Sequence, residues 1–249
     1  SRDLKVKYRR STLGLLWSVL NPLLMAIVIS IVFQNFFKFA VPNFAVYYLT
    51  GSLIFNFMNE ATSSAMVSIV GNAPLIKKVY IPKYIFPLEK VMFAFVNMLF
   101  SMIALVIMMG VTKLGIIGSA ADLNISWTIV LFFIPMLYTL VFSLGLGLIL
   151  AAVNVYFRDV GHLYSVWTMA WMYLTPIIYP MDIVEGTWVM NVIRLNPMYY
   201  FVTYFRDVVT NGTVPGLKTN LLCMGISLLF LVLGLWVFKK KQDRFILFI

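Results

Sequence analysis

The chain has 249 residues, of which 62% are hydrophobic and only 11% are charged, whereas roughly a quarter of the residues in an ordinary soluble domain are charged. A soluble domain of this length must cover its surface with polar residues. The composition therefore excludes a soluble domain and indicates a protein of the lipid bilayer. The net charge of +10 does not indicate a nucleic-acid partner, since the basic residues flank apolar stretches instead of forming one patch.

The first residues predict a helix that lies along the membrane surface. Residues 1–16 carry five basic side chains before the sequence turns apolar, and Lys5 and Arg9 share one helical face. This pattern is typical of an amphipathic helix in the headgroup layer. The chain opens at Ser1 without a methionine, so we expect a short preceding segment.

Apolar segments follow along the rest of the chain, and we predict an all-α integral membrane protein with a single transmembrane domain over residues 1–249. A helix needs roughly 20 apolar residues to cross the bilayer. Six segments approach that length. The predicted spans are residues 17–37, 44–70, 91–111, 127–152, 162–180 and 217–238.

The distribution of basic residues predicts the orientation of these spans. Fourteen of the 19 Lys and Arg side chains fall on one side of the membrane under this layout. Lys and Arg concentrate in cytoplasmic segments, so that side is the cytoplasm, and an even number of spans places both termini there. The five on the outer side are Lys38, Lys113, Arg194, Arg206 and Lys218.

The cytoplasmic loop at residues 71–90 is longer than a connector needs to be and contains Pro74, Pro82 and Pro87. The residues between the first two prolines have room for about two helical turns with one apolar and one basic face, and Pro74 suits the first helical position. The residues alone leave two interpretations open. The helix either docks on a soluble partner or lies on the lipid surface with its lysines reaching the headgroups.

The apolar segment at 162–180 is interrupted by Pro176 and Pro180, and the residues after it are too apolar for a free loop. Irregular backbone at membrane depth survives only where protein or water surrounds it. We therefore predict a re-entrant segment at 176–200 that dips back from the outer side. The alternative is an ordinary interfacial helix with an aromatic belt.

Glu60 is the one acidic residue deep inside a predicted span, and an intramembrane carboxylate is costly enough to suggest a function. Asn56, Asn59, Ser63 and Ser64 surround it at helical spacing, so we predict one polar face that contacts water or another polar helix. The alternative is a hydrogen-bonding site between helices.

Aromatic residues make up 16% of the chain, and most are expected to pack in the core or anchor the membrane interface. A subset that lines a pore would offer flat faces to sugar rings. The candidates for channel lining, including two polar residues, are Phe33, Phe37, Tyr47, Phe55, Asn59, Glu60, Trp171, Tyr173 and Tyr179.

Motifs for catalysis are missing from the sequence. There is no GxxxxGK(S/T) phosphate-binding loop, so the chain is not expected to hydrolyse ATP by itself. His162 is the only histidine and Cys223 the only cysteine, which leaves a zinc site, a Ser–His triad and a disulfide framework without support. We therefore expect no catalytic residue, no metal and no cofactor on this chain.

Five segments together carry a family likeness: RDLKVKYRRSTLGLLWSVLNPLL at 2–24, NAPLIKKVYIPKYIFPL at 72–88, NVYFRDVGHLY at 154–164, TPIIYP at 175–180 and LNPM at 195–198. In this order, spread over nearly the whole chain, they resemble the membrane subunit of type-2 ABC exporters for lipid-linked polysaccharides such as O-antigen, capsule or teichoic acid. The specificity lies in the combination, since each segment alone is a weak signal.

The resemblance implies a homodimer in the bacterial inner membrane, with two copies of a separate ATP-binding subunit that carries ATP and Mg. It implies an interfacial gate helix at 2–16 and a coupling helix at 74–83, which favours docking for the cytoplasmic loop. The implied coupling residues are Pro74, Leu75, Ile76, Lys77, Lys78, Val79, Tyr80, Ile81, Pro82 and Lys83. The implied re-entrant pair near the channel exit contains Pro176, Pro180, Asn196 and Pro197.

The implied substrate is a polysaccharide on an undecaprenyl-type lipid pyrophosphate, which passes between the two copies when the ATP-bound subunits move the coupling helix. Lys5, Arg9 and Arg10 are candidates to hold the pyrophosphate through charge-assisted hydrogen bonds, and Trp17 is a candidate interface residue. Attraction to bulk anionic lipid is the alternative for the two arginines.

Three other functions fit parts of the sequence. A type-2 ABC exporter of a drug, a peptide or a small lipid has the same membrane architecture. A membrane-embedded glycosyltransferase or polymerase needs acidic residues in a facing loop, where Asp182 and Glu185 are available. A proton- or ion-coupled carrier could be built around Glu60, but such a carrier normally shows two related halves, and none is evident here.

Overall fold

The computed structural model describes residues 14, 16–35, 41, 43–116 and 123–248. Within these ranges the chain consists of helices and turns and contains no β-strand, so the all-α prediction is confirmed for them. Most of the predicted interfacial helix, including Lys5, Arg9 and Arg10, lies outside the described residues, as does the channel candidate Phe37.

Nine α-helices follow one another in the described part of the chain. They are α1 (Leu16–Asn35), α2 (Phe44–Gly71), α3 (Ala73–Lys78), α4 (Ile85–Lys113), α5 (Phe133–Tyr156), α6 (Val160–Tyr173), α7 (Val189–Leu195), α8 (Pro197–Arg206) and α9 (Leu217–Lys241). Short 3-10 helices cover Trp127–Phe132, Met181–Ile183 and Gln242–Leu247, and a π-helical turn covers Asp207–Asn211.

Four helical segments are long and apolar enough to cross a membrane, and they coincide with four of the six predicted spans. They are Leu16–Phe33, Ile85–Lys113, Trp127–Tyr156 and Leu217–Leu247. α2 has 28 residues, or about 42 Å at 1.5 Å per residue, but its amides, hydroxyls and carboxylate make it less apolar. Its crossing of the membrane stays a prediction.

The helix at the fifth predicted span is shorter than the sequence suggested. α6 has 14 residues and ends at Tyr173, which gives about 21 Å of helix against a hydrocarbon core of about 30 Å. Thr175 precedes Pro176, and a residue before proline avoids the α conformation. The helix therefore ends before the proline, a turn replaces its last part, and the crossing and the re-entrant segment both stay predictions.

The helix of the cytoplasmic loop is also shorter than predicted. α3 has six residues and begins with Pro74 in its first turn, as expected, but the prediction is wrong beyond Lys78, because Val79 has an extended backbone with φ −132° and ψ 134°. Pro82 keeps Ile81 out of the α conformation, and a β-branched residue such as Val79 favours extended backbone.

The core forms where α2 lies between α4 and α5, and where α5 packs along α9. α5 and α9 approach so closely that a Cβ added to Gly145 would meet the backbone of Phe230, and one added to Gly234 would meet the carbonyl group of Gly145. Glycine at both positions lets the two helix backbones come into contact, as is common between membrane helices.

The two ends of this helix bundle differ in charge. At one end, here called the basic end, segment 72–84 meets the ends of α2, α5 and α9. The described basic residues of this end are Lys77, Lys78, Lys83, Lys90, Arg158, Lys239, Lys240, Lys241 and Arg244. Those of the opposite end are Lys113, Arg194, Arg206 and Lys218. The orientation in which the basic end faces the cytoplasm stays a prediction.

Candidate functional site

The polar residues of α2 face two separate cavities. Asn56, Asn59 and Ser63 line a groove between α2 and α6, whereas Glu60 lines a smaller cavity between α2, α1 and α4. Successive residues of a helix are about 100° apart around its axis, so Asn59 and Glu60 point in different directions. The prediction of one polar face around Glu60 is therefore wrong, and the groove is the main candidate site.

The groove between α2 and α6 has a volume of about 680 Å³. Its polar lining consists of amides, hydroxyls and one imidazole from the two helices, namely Asn56, Asn59, Ser63, His162, Ser165 and Thr168. Oγ of Ser63 donates a hydrogen bond to Oδ1 of Asn59 at 3.2 Å, while Asn56 is exposed. The lining thus offers hydrogen-bond donors and acceptors, and it includes no Asp, Glu, Lys or Arg among the residues that the structure describes.

Tyr164 holds α6 against α2 beside this groove. Its hydroxyl oxygen lies 2.6 Å from Oγ1 of Thr62. Because Oγ1 of Thr62 donates to the carbonyl oxygen of Met58 at 2.7 Å, the tyrosine hydroxyl is the donor in the pair. This bond is buried, so it fixes the separation of the two helices that form the groove.

α6 also carries large apolar side chains that are uncovered in the single chain, one of which, Met169, lines the groove. Five of its large side chains are between 56% and 70% exposed, namely Leu163, Val166, Trp167, Met169 and Tyr173. An apolar face of this size is covered in the membrane either by lipid or by another helix.

The aromatic channel candidates differ in burial. Phe55 and Trp171 are buried and pack edge to face, with ring centroids 6.4 Å apart. Phe33 stacks on Phe44 with centroids 5.6 Å apart. Tyr173 is 61% exposed, so its ring is more open to a ligand than those of the buried pair. The channel role of these residues stays a prediction.

Asn196 ties the turn after α6 to the beginning of α8. Its Oδ1 accepts hydrogen bonds from Nε1 of Trp171 at 2.6 Å and from the backbone N–H of Met198 at 2.9 Å. Its Nδ2 donates to Oγ1 of Thr175 at 2.8 Å and to the carbonyl oxygen of Leu174 at 3.1 Å. The residue is thus both the N-cap of α8 and the anchor of the proline-containing turn at 175–180.

Arg206, at the end of α8, is only 7% exposed and joins three segments of the chain. Its guanidinium donates to the carbonyl oxygen of Pro176 at 2.6 Å and to that of Tyr47 at 3.1 Å, and its Cζ lies 3.6 Å from the Tyr47 ring centroid. The Tyr47 hydroxyl donates to the carbonyl oxygen of Tyr179 at 2.9 Å. Tyr47 and Tyr179, predicted as channel candidates, thus belong to a joint between α2, α8 and the turn at 175–180.

Sequence reasoning missed this role of Arg206, which was only one of five basic residues on the predicted outer side. Its hydrogen-bond partners are mostly backbone carbonyl groups far away in the chain. Carbonyl groups occur at every position, so they leave no signal in a sequence. The one available hint was a basic residue in an otherwise apolar stretch, which is rare enough in a membrane protein to mark a specific contact.

Glu60 lies in a cavity of about 220 Å³ that α1 and α4 also line. Nδ2 of Asn97 donates to Oε1 of Glu60 at 2.9 Å. Trp17, the predicted interface residue, lines the same cavity and is 39% exposed. This arrangement favours the hydrogen-bonding interpretation of Glu60. Among the residues that the structure describes, no group of three or more His, Cys, Asp or Glu side chains could hold a metal ion.

The coupling candidates of segment 72–84 lie at the surface of the basic end. Ile76 is 7% exposed and packs in a small core with Ile69 and Phe238. Seven others are exposed, namely Pro74, Leu75, Lys77, Lys78, Val79, Tyr80 and Pro82. Tyr80 is fully exposed. The segment therefore presents an apolar and basic surface, and the buried side chain of Ile76 attaches it to the bundle.

Comparison with known proteins identifies the family. A model of the ABC-2 type transporter family matches residues 1–210, which include all five segments that carry the resemblance. The chain belongs to the ABC-2 type transporter family. The family resemblance in the sequence is thereby confirmed, and the chain is a transmembrane protein of the ABC-2 permease type.

Relatives of this ABC-2 protein are named for polysaccharide export. The O-antigen export system permease protein RfbA of Klebsiella pneumoniae is 30% identical over 247 residues, which cover 98% of this chain and 91% of the relative. The protein of the same name from Myxococcus xanthus is 27% identical over 245 residues, with the same two coverages of 98% and 91%. The capsule polysaccharide export inner-membrane protein CtrC of Neisseria meningitidis is 27% identical over 96% of this chain and 88% of the relative.

Proposed function

We propose that this chain is the membrane subunit of an ATP-driven exporter that moves a lipid-linked polysaccharide across the bacterial inner membrane. Two copies of the chain enclose the channel, and two copies of a separate ATP-binding subunit bind ATP and Mg at the basic end. The observation that carries the proposal is the groove between α2 and α6, with its lining of amides and hydroxyls. Relatives named for O-antigen and capsule export support the substrate class.

A groove lined by amides and hydroxyls suits a polymer that must slide along it. Amides and hydroxyls such as those of Asn56, Asn59 and Thr168 exchange hydrogen bonds with sugar hydroxyls, and each bond contributes only about 1 kcal/mol. A transport pathway must bind its substrate well enough to admit it and weakly enough to release it. Several weak and similar contacts along one groove meet both requirements.

The second copy of the chain covers the exposed apolar face of α6 and encloses the groove. Apolar side chains of α1, among them Leu24, Met25, Val28 and Ile31, are between 51% and 54% exposed, so this helix offers a further apolar surface to the partner. Packing of such faces between protomers turns two open grooves into one channel that lipid does not enter.

Entry and coupling take place at the basic end. Lys5, Arg9 and Arg10 hold the lipid pyrophosphate there by charge-assisted hydrogen bonds. The exposed side chains of segment 72–84 rest on the ATP-binding subunit and receive its movement. This arrangement requires six crossings of the membrane with both termini in the cytoplasm.

The role of the groove in transport is tested by replacing the asparagines Asn56 and Asn59 with leucine, which has a side chain of similar size. The chain and the ATP-binding subunit of its own transport system are reconstituted in proteoliposomes with undecaprenyl-pyrophosphate-linked polysaccharide. We expect Asn56→Leu and Asn59→Leu together to lower ATP-dependent export at least tenfold while the ATP-binding subunit still copurifies. Asn211→Leu, which changes an exposed amide outside the groove, serves as the control.

The same proteoliposomes distinguish the proposal from its rivals. Export of a drug or a small lipid without export of the polysaccharide would assign the chain to another kind of ABC-2 exporter. Chain elongation of the lipid-linked sugar without ATP would indicate a glycosyltransferase or polymerase. Normal polysaccharide export by the double leucine variant would remove the groove from the transport pathway.

A further inference from the structure

The end of the chain folds back onto the basic end of the bundle. After α9, residues Gln242–Leu247 form a short 3-10 helix, here called the turn Gln242–Leu247. Its Phe245 is fully buried and packs edge to face against Phe238 and Tyr156, with ring centroids 5.4 Å and 6.1 Å away. The hydroxyl of Tyr156 donates to the carbonyl oxygen of Lys241 at 3.0 Å. The turn is thus bound to the ends of both α5 and α9.

Segment 72–84 contacts this same turn through Lys83 and shares a small core with it through Ile76. Nζ of Lys83 donates to the carbonyl oxygen of Gln242 at 2.6 Å and lies 5.9 Å from the ring centroid of Phe245. Ile76, from α3, is buried in the same small core as Phe238 and Phe245. Ile76 therefore lies in α3, whereas Lys83 lies after the irregular stretch that follows this helix.

The segment has little internal structure that could carry a force. α3 has six residues, of which only Ile76 is buried, and Val79 begins an extended stretch. A segment with few buried contacts deforms easily, so a push on its exposed residues would be absorbed locally. The contacts of Ile76 and Lys83 with the C-terminal core oppose that deformation.

We propose that segment 72–84 and the turn Gln242–Leu247 move as one body, with Lys83 as a positioning residue that passes the displacement on to α5 and α9. This inference rests on the proposed function, in which the segment receives the movement of the ATP-binding subunit. The receiving helices are the pair that contact each other at Gly145 and Gly234. Movement of the segment is thereby delivered to α5, which lies against α2 and the groove.

The first arm of the test uses proteoliposomes with the chain, its ATP-binding subunit and undecaprenyl-pyrophosphate-linked polysaccharide. We expect Lys83→Met to keep ATP hydrolysis within twofold of the unchanged protein while polysaccharide exported per ATP falls at least fivefold. Lys83→Arg keeps a cationic donor and restores most of this ratio. Lys239→Met, which removes an exposed lysine of the same end, leaves both rates unchanged.

The second arm replaces the hydrogen bond by a covalent link. The variant Lys83→Cys with Gln242→Cys is joined by a short bismaleimide. The native Cys223 is fully buried and does not react. We expect the unlinked variant to hydrolyse ATP with little export, and the linked variant to regain at least half of the export per ATP. The link restores only the proximity of residues 83 and 242. Recovery of export per ATP by this link therefore identifies a positioning role for Lys83.

Each outcome decides the proposal. If the linked variant exports no more polysaccharide per ATP than the unlinked variant, holding the segment and the turn together does not restore coupling and the inference is overturned. If Lys83→Met lowers ATP hydrolysis and polysaccharide export by the same factor, Lys83 does not transmit movement. The same conclusion follows if the variant changes neither rate. If Lys83→Met fails to assemble, the linked cysteine variant decides alone. Absence of ATP-dependent export by the unchanged protein would instead refute the proposed function.

Discussion

Ser101 in α4 donates a hydrogen bond to the carbonyl oxygen of Ser18 in α1 at 3.0 Å. In a regular helix this oxygen accepts from the N–H group four residues later, which is the position of Pro22, a residue inside α1 without an N–H. The Ser101 hydroxyl shares its proton with the carbonyl oxygen of Asn97, also 3.0 Å away. A side chain from the neighbouring helix thus satisfies the acceptor that the proline leaves open, as membrane proteins require.

The first prediction concerns this compensation. Ser101→Ala removes this donor to the Ser18 carbonyl oxygen, and we expect a loss of about 1–2 kcal/mol in stability, measured as a lower Tm of the detergent-purified protein. In a Pro22→Ala background the helix regains its own donor, so the same Ser101→Ala change should cost much less. An equal loss in both backgrounds would show that the proline is not the reason for the contact.

The second prediction concerns the contact between α5 and α9. Gly145→Ala and Gly234→Ala each place a methyl group against backbone atoms of the neighbouring helix, and we expect each to lower the stability by about 1–3 kcal/mol. Gly225→Ala is the matched control, because it lies in α9 with no atom within 4 Å of the added Cβ. It should be neutral or slightly stabilising, since alanine favours the helix. Thermal unfolding of the three purified variants gives the comparison.

The sequence was sufficient to predict the long helices and their order. Extended apolar runs between basic or proline-containing turns define them, and the bounds of α1, α2 and α9 differ from the predicted spans by at most three residues at either end. Such runs are readable because the bilayer demands about 20 apolar residues for each crossing.

The geometry between helices was not predictable in the same way. The sequence predicts one polar face on α2, but Asn59 and Glu60 are consecutive and point to different neighbours, Asn59 toward α6 and Glu60 toward Asn97 of α4. Which neighbour lies on which side depends on packing between segments distant in the chain. α6 and α3 are also shorter than predicted because a residue before proline avoids the α conformation. The spacing of apolar residues gives no sign of this effect.

The third prediction concerns the joint around Arg206. Arg206→Leu removes the donors to the carbonyl oxygens of Pro176 and Tyr47 and leaves both without this partner, so we expect a loss of at least about 3 kcal/mol. Arg206→Lys should recover only part of it, because a lysine cannot donate in two directions from one planar group. Arg194→Leu removes an exposed arginine nearby in the sequence and should leave the stability unchanged. The readouts are the amount of membrane-inserted protein and its Tm, and equal behaviour of the two leucine variants would contradict the role of the joint.

The fourth prediction concerns the orientation of the basic end. Tyr80 is fully exposed at that end, Val214 is 52% exposed at the other, and the native Cys223 is fully buried. We expect a membrane-impermeant maleimide to label Val214→Cys in intact spheroplasts. It should label Tyr80→Cys only in inverted membrane vesicles, because the excess of lysine and arginine keeps that end in the cytoplasm. The cells lack the ATP-binding subunit, so that no partner covers Tyr80. The reverse labelling pattern would place segment 72–84 outside the cell, where no ATP-binding subunit could reach it, and would overturn the proposed exporter together with the coupling path.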